Sequence, residues 1–370
     1  MTTRTLRSGE GNHSDLHIRY AQQLVPRDQR HAIGAQLVRY LRILLAEVDR
    51  TRSPRYSSAV SSLLAGGLTR EMWVLKKPFG GMRRGEKVVS RRKHEEMERA
   101  GASFRRVRFP RNPQVKTYLA YMAQVMAKVH HEDQFGFVPR RDCVGSAQRH
   151  VYARTVFLLD IENAFDQITQ REVEEILHRV FLVNRREAGL IAMLSCHDYH
   201  LYQGSPIAPV LFNIRALWMT ERLHRLAAST GMNLSVYADD LTLSHNQWRY
   251  MGRGLQRTVY RIIRECGLKV NESKCKVCQV SPMKIGHYDI TGLTVDYDVT
   301  GIPYVRPLHR RRTWQKAEYI GYLRAKGIVL SREMAKDGHL KDLMMVEQGL
   351  RGWAKRRGSP EEPQLMLLDE

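Results

Sequence analysis

Two short stretches of this sequence place carboxylates where strands are expected to run. In SVYADDLTLS, residues 235–244, Val236, Tyr237, Leu241 and Leu243 have strand-forming character, and Asp239 and Asp240 stand side by side between them. In FLLDIENAF, residues 157–165, Asp160 follows three apolar residues. An unpaired carboxylate near a core is costly. The acids therefore fit the tip of a strand–turn–strand hairpin and the end of a neighbouring strand. Three clustered carboxylates repel one another unless cations lie between them. Mg²⁺ takes oxygen ligands, keeps waters and binds substrate phosphates. Two such ions about 3.5–4 Å apart stabilise the attacking and leaving oxygens of an in-line phosphoryl displacement. A pair of solvated turn acids is the plainer reading of the DD dipeptide alone.

The charge balance supplies a substrate class. Sixty Lys and Arg stand against 38 Asp and Glu among 370 residues, a net charge of +22. That excess points to a polyanionic partner, with nucleic acid as the first candidate and an anionic membrane surface as the rival. No apolar run approaches the ~20 residues of a membrane span, and the N-terminus MTTRTLRSGEGNHSD lacks the apolar core of a signal peptide. A cytoplasmic protein without a membrane partner is expected. The five cysteines (143, 196, 266, 275 and 278) are scattered and odd in number, which fits reduced thiols. The one C-x-x-C, Cys275 to Cys278, has no second pair at zinc-like spacing and reads as part of a buried strand rather than a metal or redox site.

The elements that must position the acids can be read around them. Residues 15–50 carry Ile33, Leu37, Tyr40, Leu41, Leu44 and Val48 at helical spacing, with Pro26 separating two helices. The stretch 83–116 is strongly basic, and the KHEEMERA within it looks helical. QVKTYLAYMAQVMAKVHH is an amphipathic helix, and VFLLDIENAFDQIT a strand running into a turn and a helix. SPIAPVLFNIRALWMTERLHRLAAS reads as one long helix, GLQRTVYRIIRECGLKVNESKCKV as helix–turn–strand with Gly267 as C-cap, and the chain beyond about 305 as helical and basic. Helices and strands interleave without a βαβ period, so an α+β fold is expected.

Three motifs now stand in order: D-x4-F-D at Asp160–Asp166, YQGSPIAP at 202–209, and YADD in its hydrophobic hairpin. In that order and rough spacing they resemble the palm of a reverse transcriptase, and the resemblance runs from about residue 70 to 330. It implies a right-hand polymerase, with an N-terminal helical extension at 1–69 and fingers at 70–150 interrupted by a basic insertion at 82–106. A palm at 151–304, with an antiparallel sheet and helices, and a helical thumb with a C-terminal tail at 305–370 complete it. Asp160, Asp239 and Asp240 look like the acids that hold two Mg²⁺ ions, with the Ile161 carbonyl as a further ligand. Phe165 matches the aromatic gate beneath the sugar of an incoming nucleotide, which implies dNTPs, although a core Phe beside a strand end is the plainer reading. Gln203 and Gly204 resemble the loop lining the nucleotide pocket. Lys274 matches a lysine that protonates leaving pyrophosphate, with a plain surface lysine as the equal alternative. Arg108 and Lys76 match triphosphate contacts, at positions that the insertion separates.

Two further segments resemble the retron type. FGFVPRRDCVGSAQRH, residues 135–150, is similar to a segment ending N-A-x-x-H, with Ser146 in place of the Asn and Ala147 and His150 kept. Ile290-Thr291-Gly292 is similar to the retron V-T-G. His150 is accordingly expected among the RNA-binding residues, with a packed or capping histidine as the alternative. The basic, aromatic stretch with Arg310, Arg311, Arg312, Trp314, Tyr319 and Tyr322 is expected to grip RNA through phosphates and stacking, or else to be a solvated basic helix face. At 370 residues no room is expected for a ribonuclease H domain or for maturase and endonuclease parts. The resemblance implies an RNA-directed DNA polymerase that copies a cognate structured non-coding RNA into single-stranded DNA. The product is a branched, 2′-hydroxyl-primed RNA–DNA (msDNA), made in antiviral defence beside an effector protein. A defence reverse transcriptase without retron RNA and a catalytically idle RNA-binding scaffold are the alternatives.

Overall fold

The computed structural model describes residues 14–49, 56–65, 67–77, 79–82, 85–247, 251–279, 288–291, 293–297 and 303–307. Its strands begin, in chain order, with β1 Thr69–Leu75, β2 Lys87–Val88, β3 Phe104–Pro110, β4 Thr155–Asp160, β5 Cys196–His197 and β6 His200–Leu201. They continue with β7 Asn233–Tyr237, β8 Asp240–His245, β9 Lys276–Gln279, β10 Tyr288–Ile290, β11 Leu293–Tyr297 and β12 Pro303–Pro307. The pairs among these strands are antiparallel, with one isolated parallel bridge from Gln134 to Val236 of β7, and helices lie between the strands along the chain. The fold is α+β, as expected. No helix among the described residues is long and apolar enough to cross a membrane.

The chain divides into two compact units that alternate along the sequence: 1–130, 163–219 and 265–268 form one, and 131–162, 220–264 and 269–370 the other. In the first unit Pro26 separates the helices Ser14–Leu24 and Arg27–Asp49, because proline lacks the N–H that a continuous helix needs. Ile33, Leu37, Leu41 and Leu44 are buried, while Tyr40 and Val48 lie at the edge of that stripe. The helix Pro113–Met126 starts where the Asn112 side chain accepts from the Gln114 and Val115 N–H groups, a standard N-cap.

The basic insertion is folded into this unit's sheet, whose order is β2-β1-β3. It supplies β2 and the helix Arg91–Arg99, which is capped by Ser90 and has no buried residue. His94 anchors that helix by stacking on Trp73 at 4.5 Å between ring centroids and meeting Phe104 edge-on at 5.0 Å. The expected long helix after Ser205 is two helices, Ala208–Arg215 and Leu217–Thr230, joined at Ala216. Neither glycine nor proline lies at the joint, so local sequence carries no signal for it.

In the second unit a four-stranded sheet has the order β7-β8-β4-β9. Its central strands β4 and β8 alternate buried side chains on both faces, as the runs TVFLLD and DLTLSH require. The helix Arg253–Glu265 packs Val259, Ile262 and Ile263 inward, and Gly267 follows it at φ 74° as the C-cap read from the sequence. A second sheet, β10-β11-β12, packs Tyr288, Ile290, Leu293 and Val295 against Cys143, Val144 and Ala147 of the short helix Cys143–Gln148. None of the five cysteines forms a disulfide. Cys275 and Cys278 are only half-buried, with Cys278 in β9 packed against that core.

Candidate active site

Sheet register brings the acids of the second unit together. β4 pairs with β8 from Thr155↔His245 to Asp160↔Asp240, so the last pair of the ladder sets two carboxylates opposite each other. Like charges in that position destabilise a sheet. Leu159↔Leu241 precedes them, and β7 and β8 join through Ala238 and Asp239. Ala238 has φ 53°, a left-handed conformation that non-glycine residues rarely adopt.

The main chain holds this corner from several sides. The Ile161 N–H donates to the Asp239 carbonyl at 2.9 Å, and the Asn271 N–H to the Asp160 carbonyl at 2.8 Å. Ile161 and Val270 form an isolated bridge, so the backbone of Ile161 lies in the same corner as all three acids. Gly136 covers the hairpin turn: a Cβ there would lie 2.7 Å from the Ala238 nitrogen. The neighbouring Phe135 N–H donates to Val236 and the Val236 N–H to Asp133, each at 2.8 Å, which secures the outer edge of β7.

Lys274 stands in the short turn Glu272–Lys274, and its ammonium lies 2.9 Å from both carboxylate oxygens of Asp160. An open cavity of about 270 Å³ adjoins the group and is lined by Leu158, Asp160, Asp240, Thr242, Lys274, Lys276, Asp289 and Thr291. Lys276 and Asp289 were not singled out from the sequence, whereas Thr291 belongs to the Ile290-Thr291-Gly292 segment that resembles the retron type. Lys276 is legible in hindsight, because it pairs with Leu158 and shares the face of Asp160. Asp289 comes from β10 and Thr291 follows it; no local pattern places that segment beside the acids.

Among the described residues no three His, Cys, Asp or Glu side chains converge as a closed metal cage. Mg²⁺ does not require one, since it is commonly held by one or two carboxylates together with waters and substrate phosphates. Two facing carboxylates, a third on the turn and an adjoining open cavity are a hard-oxygen donor set of that kind. The donor set fits the ion.

His150 is fully buried. Its Nδ1 lies 2.7 Å from Ser244 Oγ and its Nε2 2.8 Å from Ser235 Oγ, while Ser146 Oγ donates to Ser235 Oγ at 3.0 Å. Burial, and then Arg149, lowers its pKa to about 3, so it is neutral at ordinary pH. The Tyr288 hydroxyl donates to its carbonyl. This is the packed alternative from the sequence reading: the imidazole joins strands β7 and β8 and faces no solvent.

In the first unit Arg108, Gln203 and Gly204 come together through the main chain. The Arg108 N–H donates to the Gln203 carbonyl at 2.9 Å. Gly204 has φ 108°, and a Cβ on it would fall 2.0 Å from the Arg108 carbonyl oxygen. Conformation and space both demand glycine there. The Arg108 side chain is held by Glu71 at 2.7 Å and by Asp198 at 3.5 Å. Burial pushes the Glu71 carboxyl up, but Arg108, with Arg106 behind it, brings it below its ordinary value. Lys76, just past β1, is exposed, with its N–H donated to Ser103. Phe165 is half-buried and meets Phe212 edge-on at 6.1 Å. Arg310, Arg311, Arg312, Trp314, Tyr319 and Tyr322 lie outside the described residues, as does Gly292.

A family model described as "Reverse transcriptase (RNA-dependent DNA polymerase)" matches residues 105–322. The Retron Ec86 reverse transcriptase of Escherichia coli is 28% identical over 167 residues, covering 45% of this chain and 50% of that protein. The Retron Mx65 reverse transcriptase of Myxococcus xanthus is 28% identical over 199 residues, 49% of this chain and 45% of that protein. The chain thus spans about half the length of the curated relatives it matches. Among solved structures, the telomerase of Candida albicans in complex with a telomeric RNA fragment aligns with a TM-score of 0.42 and 10% identity, over 69% of this chain and 54% of that one.

Proposed function

Because this chain belongs to the reverse transcriptase family, we propose that it is a retron-type RNA-directed DNA polymerase. The observation that carries the reading is the register pair Asp160↔Asp240 beside Asp239 and Lys274, at the mouth of an open cavity.

In this reading Asp160, Asp239 and Asp240, with the Ile161 carbonyl, hold two Mg²⁺ ions. The ions, when bound, activate the primer hydroxyl and offset charge on the phosphates during in-line displacement. The aspartates fix where the α-phosphate lies. Lys274, now resting on Asp160, supplies a proton to the departing pyrophosphate. Lys76 and Arg108 bind the triphosphate, which requires Arg108 to exchange Glu71 for phosphate oxygens. Phe165 closes the space under the sugar against a 2′-hydroxyl, and Gln203 and Gly204 line the base pocket with main chain.

Residues 1–69 are assigned as an N-terminal extension, 70–150 as fingers, 151–304 as palm and 305–370 as thumb. The partners are dNTPs, a cognate structured non-coding RNA gripped by the thumb, its single-stranded DNA product and an effector protein in antiviral defence in the cytoplasm. A purified full-length chain given a DNA primer annealed to an RNA template, dNTPs and Mg²⁺ is expected to extend the primer to the template end. Folded protein that adds no nucleotide rejects the polymerase reading in favour of an RNA-binding scaffold.

A further inference from the structure

The helix Arg253–Glu265 lies on the face of the second unit's sheet opposite to the acids. Tyr260 meets the ring of Phe157 at 6.0 Å. Phe157 and Asp160 are three residues apart on β4, so they point to opposite faces. Leu158 and Asp160 line the catalytic cavity. The buried residues of the helix, Val259, Ile262 and Ile263, turn toward the sheet.

Its outer side carries Arg253, Arg257, Arg261 and Arg264, all exposed. At 3.6 residues per turn these four fall within an arc of about 80° and span roughly 16 Å. Residues 253–264 contain no acid, and Glu265, four residues after Arg261, is the only one in the helix. In the helix Arg91–Arg99 an acid stands four residues after Arg91 and after Arg92 and pairs with each, whereas four residues after Arg253 and after Arg257 stands another arginine. Like charges so placed destabilise a helix by themselves, and a polyanion laid along them removes that repulsion.

We propose that this stripe is a phosphate-binding ladder for duplex RNA. It gives the protein a nucleic-acid contact on the face of the sheet away from the chemistry, so that a folded RNA grips both faces. The identification of the polyanion as RNA rests on the function proposed above. Stems of RNA are recognised chiefly through shape and phosphate contacts, and four cations over this length match the dense charge of a duplex. A membrane-surface helix would need its apolar side open to lipid, and here that side is packed on the sheet.

The test is the salt dependence of binding to a labelled RNA hairpin of about 20 base pairs. The wild type is compared with the triple variant Arg253→Gln, Arg257→Gln, Arg264→Gln, with circular dichroism as the check on folding. The slope of log K against log salt should become shallower by about two to three, because each phosphate contact contributes close to one unit. Affinity near 0.1 M salt should fall at least tenfold. Arg257→Lys keeps the charge and should keep the slope. An unchanged slope in the triple variant overturns the proposal, and so does a loss in Arg257→Lys as large as in the triple variant. If the triple variant fails to fold, Arg257→Gln alone should lose about one unit of slope, and no loss overturns the ladder. Weakened binding to phosphatidylserine vesicles with an intact RNA slope would assign the stripe to a membrane and overturn it too. Primer extension by the wild type is scored separately, so failure of the polymerase reading and failure of the ladder are distinguishable.

Discussion

The acidic corner of one unit and the Gly204 loop of the other are held in place in two different ways. At Asp160 and Asp240 the sheet register does the positioning, and in the proposed function the side chains carry the chemistry. At Gly204 the main chain itself is the positioned group: the loop lies so close to β3 that a methyl group would meet the Arg108 carbonyl at 2.0 Å. The first arrangement depends on two charged side chains brought face to face; the second leaves no room for a side chain at all.

The largest expected effect strikes the first arrangement. Asp239→Asn keeps the size of the turn residue and removes its charge, so the fold should persist while nucleotide addition falls on the order of 10³-fold or more. Single-turnover extension with Mg²⁺ measures it, and near-normal rates in a folded variant would remove Asp239 from the metal site.

Gly204→Ala attacks the second arrangement. Backbone strain and the collision with β3 should cost about 1–3 kcal/mol of stability and lower activity at least tenfold. Gly80→Ala is the internal control, because Gly80 also has positive φ, 55°, but open space around it. It should cost only the conformational part, roughly 1 kcal/mol. Equal melting temperatures for the two variants would show that the contact with Arg108 is unimportant.

Phe165→Ala tests whether the loop side also sets sugar choice. The dNTP-to-rNTP ratio of kcat/KM should fall about tenfold or more while dNTP addition survives, since discrimination is a difference of transition-state affinities. An unchanged ratio would return Phe165 to a packing role against Phe212.

The smallest effect concerns the support beneath the acidic corner. His150 titrates near 3 in the folded chain, against an ordinary value of 6.5, and burial holds His17 near 2 in the same way. Above pH 6.5 both are neutral whether folded or unfolded, and their contribution to stability is complete. As pH falls from 6.5 toward 3 the unfolded chain takes up protons that the folded chain refuses, so stability drops by at most about 1.4 kcal/mol per pH unit for each. Melting temperatures at pH 7 and pH 5 should differ by more in the wild type than in His150→Gln. The same difference in both would show that His150 stays accessible to protons in the fold.

Much of the acidic corner could be read before the structure was seen. Val236, Tyr237, Leu241 and Leu243 around Asp239 and Asp240 specify two strands by their strand-forming character, and the three apolar residues before Asp160 specify a strand end. Pro26 and Gly267 mark helix ends for purely local reasons. What escaped depends on contacts distant in sequence. His150 looked like a residue for RNA, yet its role follows from serines 85 and 94 positions away. The β5–β6 hairpin turns through Asp198 and Tyr199 at φ 48° and 63° without the glycine that marks such turns, so CHDYH showed no hairpin. The insertion at 82–106 showed its charge but not its anchor, because His94 stacking on Trp73 joins positions that no periodicity connects.

The central claim is that the carboxylates paired at the end of β4 and β8 hold the metal ions for DNA synthesis. Its most direct test is the rate of single dNTP addition to an RNA-templated DNA primer, titrated with Mg²⁺, for the wild type and for Asp160→Asn. The wild type should show a saturable metal dependence, and the folded variant should lose at least 10³-fold at every Mg²⁺ concentration. A variant that matches the wild-type rate at any of those concentrations would contradict the account.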